Sequence, residues 1–304
     1  MEIPDPKKLV VICGPTSSGK SGLAMKLAPK FNGEIVIADS RQVYKQLDIG
    51  TAKPTPAEQK TVPHHLVDIC EPGDDFSVGK YKKIATKAIA VVHRSGNLPF
   101  LVGGTGLYID ALTQGYEIPA VSPDSKLRSE LEKKSLEQLY SEIKELDPLF
   151  ATRVDRKNKR RLIRAIEVCQ KTGRRFSDQR KKTKPPYDVV YLALDWPRAE
   201  LYQRIDQTVD KMMAAGLKKE VSGLIDSGVS ADWLLSIGLE YRYLTKIVTG
   251  DLAEADGIQQ LKYASHQFAK RQLTWFRRNK KIHWLDPAQA VPEASGLLQK
   301  FLQR

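Results

Sequence analysis

The sequence predicts an α/β fold, in which a parallel-sheet core built around a phosphate-binding loop (P-loop) carries a helical insertion domain. Short apolar runs alternate with helical patterns over the first 115 residues, as expected for a parallel sheet. A glycine-rich loop directly follows the first of these runs. From residue 125 to about 183 the pattern is helical and charged, without a convincing strand, and it ends at Pro185-Pro186.

Each strand is predicted from a short, continuous apolar run, which is typical of strands buried on both faces. Such runs occupy 9–13, 35–38, 65–69, 99–102, 189–194 and 282–285. Helices are predicted after the glycine-rich loop, over 78–92, at places centred on 198–215, 218–227, 236–249 and 257–278, and at the chain end. We therefore predict a core of residues 1–120 and 186–304 with C-terminal helices, and an insertion domain at 121–185.

The composition excludes several classes of protein. Of the 304 residues, 41% are hydrophobic and 28% are charged, which argues against a disordered chain. Three scattered cysteines argue against a disulfide framework or a zinc site. No apolar run approaches the roughly eighteen residues that a membrane helix needs, and the first residues lack a secretory pattern. We expect a cytoplasmic protein that does not associate with membranes.

The positive charge is concentrated in one segment. The chain carries 49 Lys and Arg against 36 Asp and Glu, a net charge of +13. Between residues 153 and 184 there are fourteen basic residues and only three acidic ones, so that this segment alone carries +11. A solvated helix face is the simpler interpretation, but so few compensating acids favour a polyanionic partner.

Residues 14–21, GPTSSGKS, match the pattern G-x-x-x-x-G-K-[ST] between a predicted strand and a predicted helix. Glycines let successive backbone N–H groups turn inward around an anion, and the helix N-terminus adds its dipole. Lys20 neutralises phosphate and the Ser21 hydroxyl is placed to bind Mg²⁺. The motif predicts a di- or triphosphate site made of Gly14, Pro15, Thr16, Ser17, Ser18, Gly19, Lys20 and Ser21.

Two further candidates follow neighbouring predicted strands, at the sheet edge where open α/β sheets bind ligands. Asp39 is a metal ligand, a base that faces a substrate, or a cap of the turn after it. Thr105 follows Gly103-Gly104 and either donates to a phosphate oxygen or caps the next helix, and both roles can hold together. Adjacent His64 and His65 are predicted to point to opposite faces of a strand, one to the core and one to the surface; Cys13 is predicted to be buried.

The segment KRQLTWFRR at 270–278 places basic and aromatic residues late in a predicted helix. Helical spacing groups Lys270 with Thr274 and Arg277, and Arg271 with Trp275 and Arg278. This arrangement suits a phosphate backbone or an unstacked base. A core tryptophan with solvated arginines is an equally good interpretation.

Six strings together resemble the tRNA dimethylallyltransferases (tRNA isopentenyl-pyrophosphate transferases) of the bacterial type. They are GPTSSGKS at 14–21, ADSRQVYKQLDIGTAKP at 38–54, PHHLVDI at 63–69, LVGGTGLY at 101–108, RRLIRAIEV at 160–168 and KRQLTWFR at 270–277. The resemblance implies transfer of a dimethylallyl group from its pyrophosphate to the exocyclic N6 amine of the adenine 3′-adjacent to the anticodon in tRNA. It implies that the P-loop holds pyrophosphate with Mg²⁺ at Ser21, that Asp39 is the general base, and that Thr105 hydrogen-bonds the leaving group.

The resemblance also implies tRNA contacts, and it shows two departures. Thr208 stands where the family usually has a pyrophosphate-binding arginine, for which Arg204 is a candidate substitute. Leu239 stands where a tyrosine is expected after Gly238, which puts that tRNA contact in doubt. The implied tRNA-binding residues are Asp39, Ser40, Arg41, Gln42, Thr105, Arg128, Arg160, Arg161, Leu162, Ile163, Arg164, Lys270, Arg271 and Trp275.

Other functions are compatible with parts of the sequence. A small-molecule kinase or ATPase would use Asp39 to bind Mg²⁺ and the insertion as a lid. A non-enzymatic RNA-binding protein would retain a vestigial P-loop. An adenylate prenyltransferase would have no use for the basic insertion. We expect a monomer whose partners are the tRNA anticodon stem-loop and dimethylallyl pyrophosphate.

Overall fold

The structure is a computed structural model that describes residues 7–116, 119, 121–179, 183 and 185–304. Its strands are β1 (Lys7–Cys13), β2 (Gly33–Ile37), β3 (His64–His65), β4 (Leu98–Gly103), β5 (Tyr187–Leu194) and β6 (Ile282–Leu285). They form one parallel sheet in the order β3-β2-β4-β1-β5-β6. The predicted α/β class with a parallel-sheet core is confirmed.

Helices cover the sheet and extend the core beyond it. The first four are α1 (Lys20–Leu27), α2 (Pro56–Thr61), α3 (Val78–Arg94) and α4 (Gly106–Thr113). Helix α3 buries Tyr81, Ala85, Ile89 and Val92, a helical spacing that presents one apolar stripe to the sheet. Strand β1 is buried from Leu9 to Cys13, which explains its continuous apolar run.

The strand predicted at 65–69 and the predicted placement of the two histidines at its start differ from the structure. The strand predicted at 65–69 is only the edge strand β3, because Leu66 and Asp68 adopt positive φ angles and turn the chain away. Both histidines are half-buried, so the prediction of one core and one surface histidine was wrong. His64 Nδ1 contacts the Val62 carbonyl oxygen at 2.7 Å, and His65 Nε2 contacts Glu34 at 2.5 Å.

Packing divides the chain into two compact units, residues 1–113 with 186–304 and residues 114–185. The second unit, here called the insertion unit, contains α5 (Ser125–Glu132), α6 (Leu136–Leu146), α7 (Pro148–Ala151) and α8 (Lys159–Thr172). Side chains of Asp124, Ser135, Asp147 and Asn158 cap these helices. Four residues of the basic segment, at 180, 181, 182 and 184, lie outside the described residues, as does residue 120 at the predicted domain boundary.

Five helices connect β5 to β6, and a sixth ends the chain. They are α9 (Arg198–Ala214), α10 (Leu217–Asp226), α11 (Ala231–Ile237), α12 (Leu239–Val248), α13 (Glu254–Phe276) and α14 (Ala290–Leu302). The helix predicted at 236–249 is interrupted at Gly238, whose backbone is extended with φ −171°. None of the described helices combines the length and apolar character needed to cross a membrane.

A second hydrophobic core forms where the chain after β2 packs against α10 and α12. Val43 and Leu47 are fully buried there together with Val221, Tyr241 and Leu244. This packing ties the residues after Asp39 to helices that lie far away in the sequence.

Candidate active site

The P-loop forms a tight turn between β1 and α1. Gly14 and Gly19 adopt φ angles of 140° and 92°, and Ser17 takes a left-handed conformation with φ 59°. L side chains rarely adopt such angles, so the glycine positions in the motif are backbone requirements. The side chain of Ser18 is fully buried, and its Oγ has no hydrogen-bond partner among the described residues. A buried hydroxyl without a partner in this turn is consistent with a ligand that supplies one.

Lys20 begins α1 and is half-buried. Its Nζ donates to the Pro15 carbonyl oxygen at 3.2 Å. Burial lowers the pKa of Lys20 from its ordinary value, and the Asp39 carboxylate opposes this shift. The lysine side chain therefore lies within the electrostatic reach of Asp39, and a bound anion would favour its charged form.

Two side chains after β5 hold the outer part of the P-loop. Trp196 Nε1 donates to the Ser18 carbonyl oxygen at 2.7 Å, and Arg204 Nε donates to the Ser17 carbonyl oxygen at 3.0 Å. The Arg204 guanidinium stacks on the Trp196 ring, 4.3 Å from its centroid. Arg204 is thus brought to the P-loop, whereas the hydroxyl of Thr208 donates to the Arg204 carbonyl oxygen within α9. The role of Trp196 was missed, because nothing local in the sequence links it to the loop.

Asp39 and Thr105 meet at the ends of β2 and β4. The backbone N–H of Thr105 donates to the Ala38 carbonyl oxygen, and the N–H of Ser40 donates to Thr105 Oγ1, both at 3.2 Å. A Cβ atom on Gly103 would lie 2.1 Å from the Ala38 carbonyl oxygen, so this close approach requires glycine. Asp39 and Thr105 are thus connected through Ser40, which follows Asp39 and is bonded to the Thr105 hydroxyl. Their proximity agrees with the sheet order, in which β2 lies next to β4.

The alternatives for these two residues can be compared with the geometry. Asp39 Oδ1 accepts from the Arg41 N–H at 2.9 Å, so the turn-capping role is present and uses one carboxylate oxygen. The other oxygen has no hydrogen bond to the described residues. The Thr105 hydroxyl accepts from Ser40 rather than from an N–H of α4, so its own proton is available to donate.

The residues after Asp39 are held by distant helices. Arg41 donates to the Ser40 hydroxyl at 2.5 Å and to the Ile237 carbonyl oxygen at 2.6 Å. Gln42 is 9% exposed, and its amide donates to the carbonyl oxygens of Thr51 and Ala52 at 2.9 and 3.0 Å. The side chain of Gln42 therefore supports the following loop, a structural role that is not predictable from its neighbours in the sequence.

Two glutamates near this segment were also missed. Glu220 on α10 accepts hydrogen bonds from three successive backbone N–H groups, at 48–50, and from the Tyr241 hydroxyl. Burial raises the pKa of Glu240 on α12, its own N–H and Arg41 oppose the shift, and Asp39 adds to it. The Glu240 carboxyl thus lies within electrostatic reach of both Arg41 and Asp39.

Trp275 is a packing residue in this structure. Its Nε1 donates to Asp110 at 3.0 Å, and its ring lies against Gly106, where a Cβ atom would be 2.4 Å away. The Arg278 guanidinium lies 4.4 Å from the ring centroid. These contacts give Trp275 a packing role between α13 and α4, and its stacking on a base stays a prediction. Lys270 and Arg271 are exposed on α13, as expected for phosphate contacts.

Within the insertion unit, the predicted tRNA-binding residues separate into three kinds. Leu162 and Ile163 are 0% and 4% exposed in the unit's hydrophobic core, so they cannot contact RNA and that prediction was wrong. Arg128 and Arg164 both pair with the buried Glu167. Arg160 and Arg161 are exposed in the first turn of α8.

Comparisons with known proteins point to one family. Residues 42–279 match the family model "IPP transferase", and residues 7–68 match "Isopentenyl transferase". The tRNA dimethylallyltransferase of Roseiflexus castenholzii is 48% identical over 296 residues, which cover 96% of this chain and 95% of that protein. That of Thermomicrobium roseum is 44% identical over 287 residues, covering 93% of this chain and 87% of that protein.

Solved structures give the same result. The tRNA isopentenylpyrophosphate transferase of Bacillus halodurans has a TM-score of 0.74 and 36% identity, covering 98% of this chain and 97% of that chain. A eukaryotic dimethylallyltransferase, described as acting on tRNA, has a TM-score of 0.79 and 29% identity, covering 92% of this chain and 74% of that chain.

Proposed function

This chain belongs to the IPP transferase family, and from that premise we propose that it is a tRNA dimethylallyltransferase. It moves the dimethylallyl group of dimethylallyl pyrophosphate to the N6 amine of the adenine 3′-adjacent to the anticodon, and releases pyrophosphate. The observation that carries the proposal is the junction of Asp39, Ser40 and Thr105 in the same compact unit as the P-loop.

The chemistry follows from the groups at this junction. The amine forms a bond to the allylic carbon while the bond from that carbon to the diphosphate oxygen breaks. The lone pair of the amine is delocalised into the purine, so a general base has to accept the proton, and the free oxygen of Asp39 does so. The Thr105 hydroxyl donates to the departing oxygen.

The negative charge that develops on the diphosphate is stabilised by the P-loop. Lys20, the N-terminus of α1 and the Ser18 hydroxyl provide charge and hydrogen bonds, and Arg204 lies beside the loop at Ser17 and Gly19. Because these groups are held in place before the reaction, little reorganisation is needed as charge develops.

We assign Mg²⁺ to the same site. Ser21 is exposed in the first turn of α1, next to Lys20, so its hydroxyl fits a cation that also binds the diphosphate. The described residues contain no cluster of three His, Cys, Asp or Glu side chains able to hold a metal ion. Mg²⁺ is commonly held by few protein groups together with phosphate oxygens and water, and at this place it would supply charge neutralisation to the diphosphate when bound.

The tRNA contacts are assigned to polar groups that solvent reaches. In the first unit they are the half-buried Asp39, Ser40, Arg41 and Thr105 and the exposed Lys270 and Arg271, whereas the buried Gln42 supports its own loop instead. In the insertion unit, as binder of the anticodon arm, they are chiefly the exposed Arg160 and Arg161. We expect the protein to act as a monomer, in the cytoplasm with its tRNA substrate.

The direct test incubates the protein with labelled dimethylallyl pyrophosphate, Mg²⁺ and tRNA from cells that lack this modification. Label in the tRNA, located by mass spectrometry at the adenine next to the anticodon, supports the proposal. Adenosine monophosphate and ATP serve as parallel substrates. Label in the free nucleotide alone, or phosphoryl transfer from ATP without prenylation, would overturn it.

A further inference from the structure

The most informative unassigned contact is made by Gln272, a glutamine on α13 that is 7% exposed. Its Oε1 accepts from the backbone N–H of Thr16 in the P-loop at 2.9 Å. Its Nε2 donates to the carbonyl oxygen of Gly104, the residue before Thr105, also at 2.9 Å. One side-chain amide thus bridges the two loops that carry the proposed diphosphate-binding groups.

The bridge lies where the sheet stops holding these loops together. Strands β1 and β4 pair as far as Cys13 and Gly103, and the chain leaves the ladder at the next residue on each side. Beyond that point, the side-chain amide of Gln272 links the two segments as a further ladder hydrogen bond would. It accepts from Thr16 in the segment after β1 and donates to Gly104 in the segment after β4. It does so without being part of either loop.

The distance that this bridge sets matters for the reaction. Gly104 lies close to Lys20, since a Cβ atom on Gly104 would be 3.7 Å from Lys20 Cε. Thr105, which follows Gly104, donates to the departing oxygen in the proposed mechanism. If the P-loop and Thr105 moved apart, the same diphosphate could not contact both, and misplacements of about 1 Å cost reaction rates up to 100-fold.

We propose that Gln272 is a positioning residue for the allylic diphosphate: it fixes the spacing between the P-loop and Thr105. The inference rests on the proposed function, because it assumes that one diphosphate contacts both loops. It does not place Gln272 in contact with the substrate, and it predicts no effect on tRNA binding.

The first test replaces Gln272 by Met, which has a similar size and a high helix propensity but makes neither hydrogen bond. We expect the KM for dimethylallyl pyrophosphate to rise about tenfold and kcat to fall about tenfold. Binding of inorganic pyrophosphate with Mg²⁺, measured by calorimetry, should weaken to a similar extent, whereas tRNA affinity stays unchanged. Gln267→Met, at an exposed position of the same helix, is the matched control.

A second pair of variants separates positioning from general damage. In Gln272→Glu, the neutral carboxylic acid can still donate to Gly104 and accept from Thr16, whereas the carboxylate cannot donate. The activity of this variant relative to the wild type should therefore rise as the pH falls. Gly104→Ala would place a Cβ atom 2.6 Å from Nε2 and push the amide away, so its effect should not add to that of Gln272→Met.

The outcomes are distinguishable from a failure of the proposed function. If the wild type does not prenylate tRNA, the proposed function fails regardless of Gln272. If the wild type is active and Gln272→Met changes neither pyrophosphate binding nor kcat, the positioning role is overturned. It is also overturned if Gln272→Met weakens tRNA binding as strongly as it weakens pyrophosphate binding and lowers kcat. Should Gln272→Met not fold, a pH-independent activity ratio for Gln272→Glu would overturn it equally.

Discussion

The backbone N–H of Ser40 donates a hydrogen bond of 3.2 Å to the hydroxyl of Thr105, which adds a side-chain contact to the backbone hydrogen bond from Thr105 to Ala38. Because a hydroxyl has a single proton, accepting from Ser40 leaves that proton free to donate elsewhere. The same contact fixes the rotamer of Thr105 relative to Asp39, one residue before Ser40. The relative position of the proposed base and the proposed leaving-group donor is therefore set by the backbone.

Replacing Thr105 by Val should impair turnover more than binding. Val keeps the shape of Thr but cannot donate to the departing oxygen, and loss of one such donor typically costs about 100-fold in kcat. Thr105→Ser should restore most of the activity, because it keeps the hydroxyl. Both variants are measured by steady-state prenylation of tRNA.

A matched control exists for the stability of the Val variant. The hydroxyl of Thr245 is buried without a hydrogen-bond partner among the described residues, so Thr245→Val should not lower stability and should leave turnover unchanged. Thr105→Val leaves the Ser40 N–H unpaired and should cost about 1–3 kcal/mol of unfolding free energy. Equal turnover for the Val and Ser variants would contradict the role of the hydroxyl.

Asp39→Asn should abolish most turnover and leave tRNA binding largely intact, because Asp39 is only one of several proposed tRNA contacts. The carboxamide oxygen can still accept from the Arg41 N–H, so the turn is retained, but the group no longer accepts the proton of the amine. The expected loss is about 10²–10⁴ in kcat, the usual contribution of a general base. Prenylation rates and tRNA affinity by fluorescence anisotropy are the two measurements.

Asp195→Asn is the control for this prediction. Asp195 directly follows β5, and Asp39 follows β2 after one intervening residue, so the two carboxylates hold similar places in the sheet. Asp195 pairs with Arg277 on the surface. Its amide variant should retain normal turnover. Wild-type rates in Asp39→Asn would assign the base to another group.

The sequence predicts the parts of this site that follow from strand order. Asp39 and Thr105 each follow an apolar run, and carboxyl ends of parallel strands meet at one sheet edge, so their proximity is predictable from pattern alone. The P-loop is predictable because its glycines are required by backbone angles that other residues avoid.

The supporting residues are not predictable in the same way. Three side chains hold loops that are distant from them in the sequence, namely Gln272, Trp196 and Glu220. A helical pattern shows that Gln272 falls on the buried face of α13. It does not show which backbone groups lie opposite its side chain. The same holds for Arg128 and Arg164, which were predicted to contact tRNA. The sequence does not show that Glu167 is buried between them and pairs with both.

This arrangement predicts different results for two neighbouring arginines of α8. Arg160 is exposed, so Arg160→Ala should weaken tRNA binding and reduce the slope of log affinity against log salt by about 0.7–0.9, the effect of one phosphate contact. Its thermal stability should be unchanged. Arg164→Ala should instead destabilise the insertion unit by about 2 kcal/mol, since it removes a charged hydrogen bond from Glu167.

The control for net charge is Arg198→Ala, at an exposed position of α9 in the other unit. It removes the same charge and should leave the salt slope unchanged. If Arg198→Ala reduced the slope as much as Arg160→Ala, binding would depend on overall charge rather than on the insertion unit. If Arg164→Ala melted like the wild type, the structural role of its pair with Glu167 would be contradicted.

The same buried carboxylate predicts how the insertion unit responds to acid. Burial alone would raise the pKa of Glu167, but hydrogen bonds from Arg128, the Asp124 N–H and Arg164 outweigh burial and lower this pKa below its ordinary value of 4.5. A carboxyl whose pKa is lower in the folded state binds its proton first in the unfolded state. Its contribution to stability is therefore fully present above pH 4.5 and is lost as the pH falls through the folded-state pKa.

Glu167→Gln tests this prediction by removing the titration while keeping the size of the side chain. The variant should be less stable than the wild type at pH 7, and its stability should fall less between pH 5 and about pH 3. All four tryptophans lie outside the insertion unit, at 196, 233, 275 and 284, so their fluorescence does not report on it. Hydrogen exchange of the α8 amides is the suitable measurement. Glu130→Gln, at an exposed position of α5, is the control and should lose α8 protection as the wild type does at every pH. If the wild type and Glu167→Gln lost α8 protection in parallel as the pH falls, another carboxyl would govern the acid response.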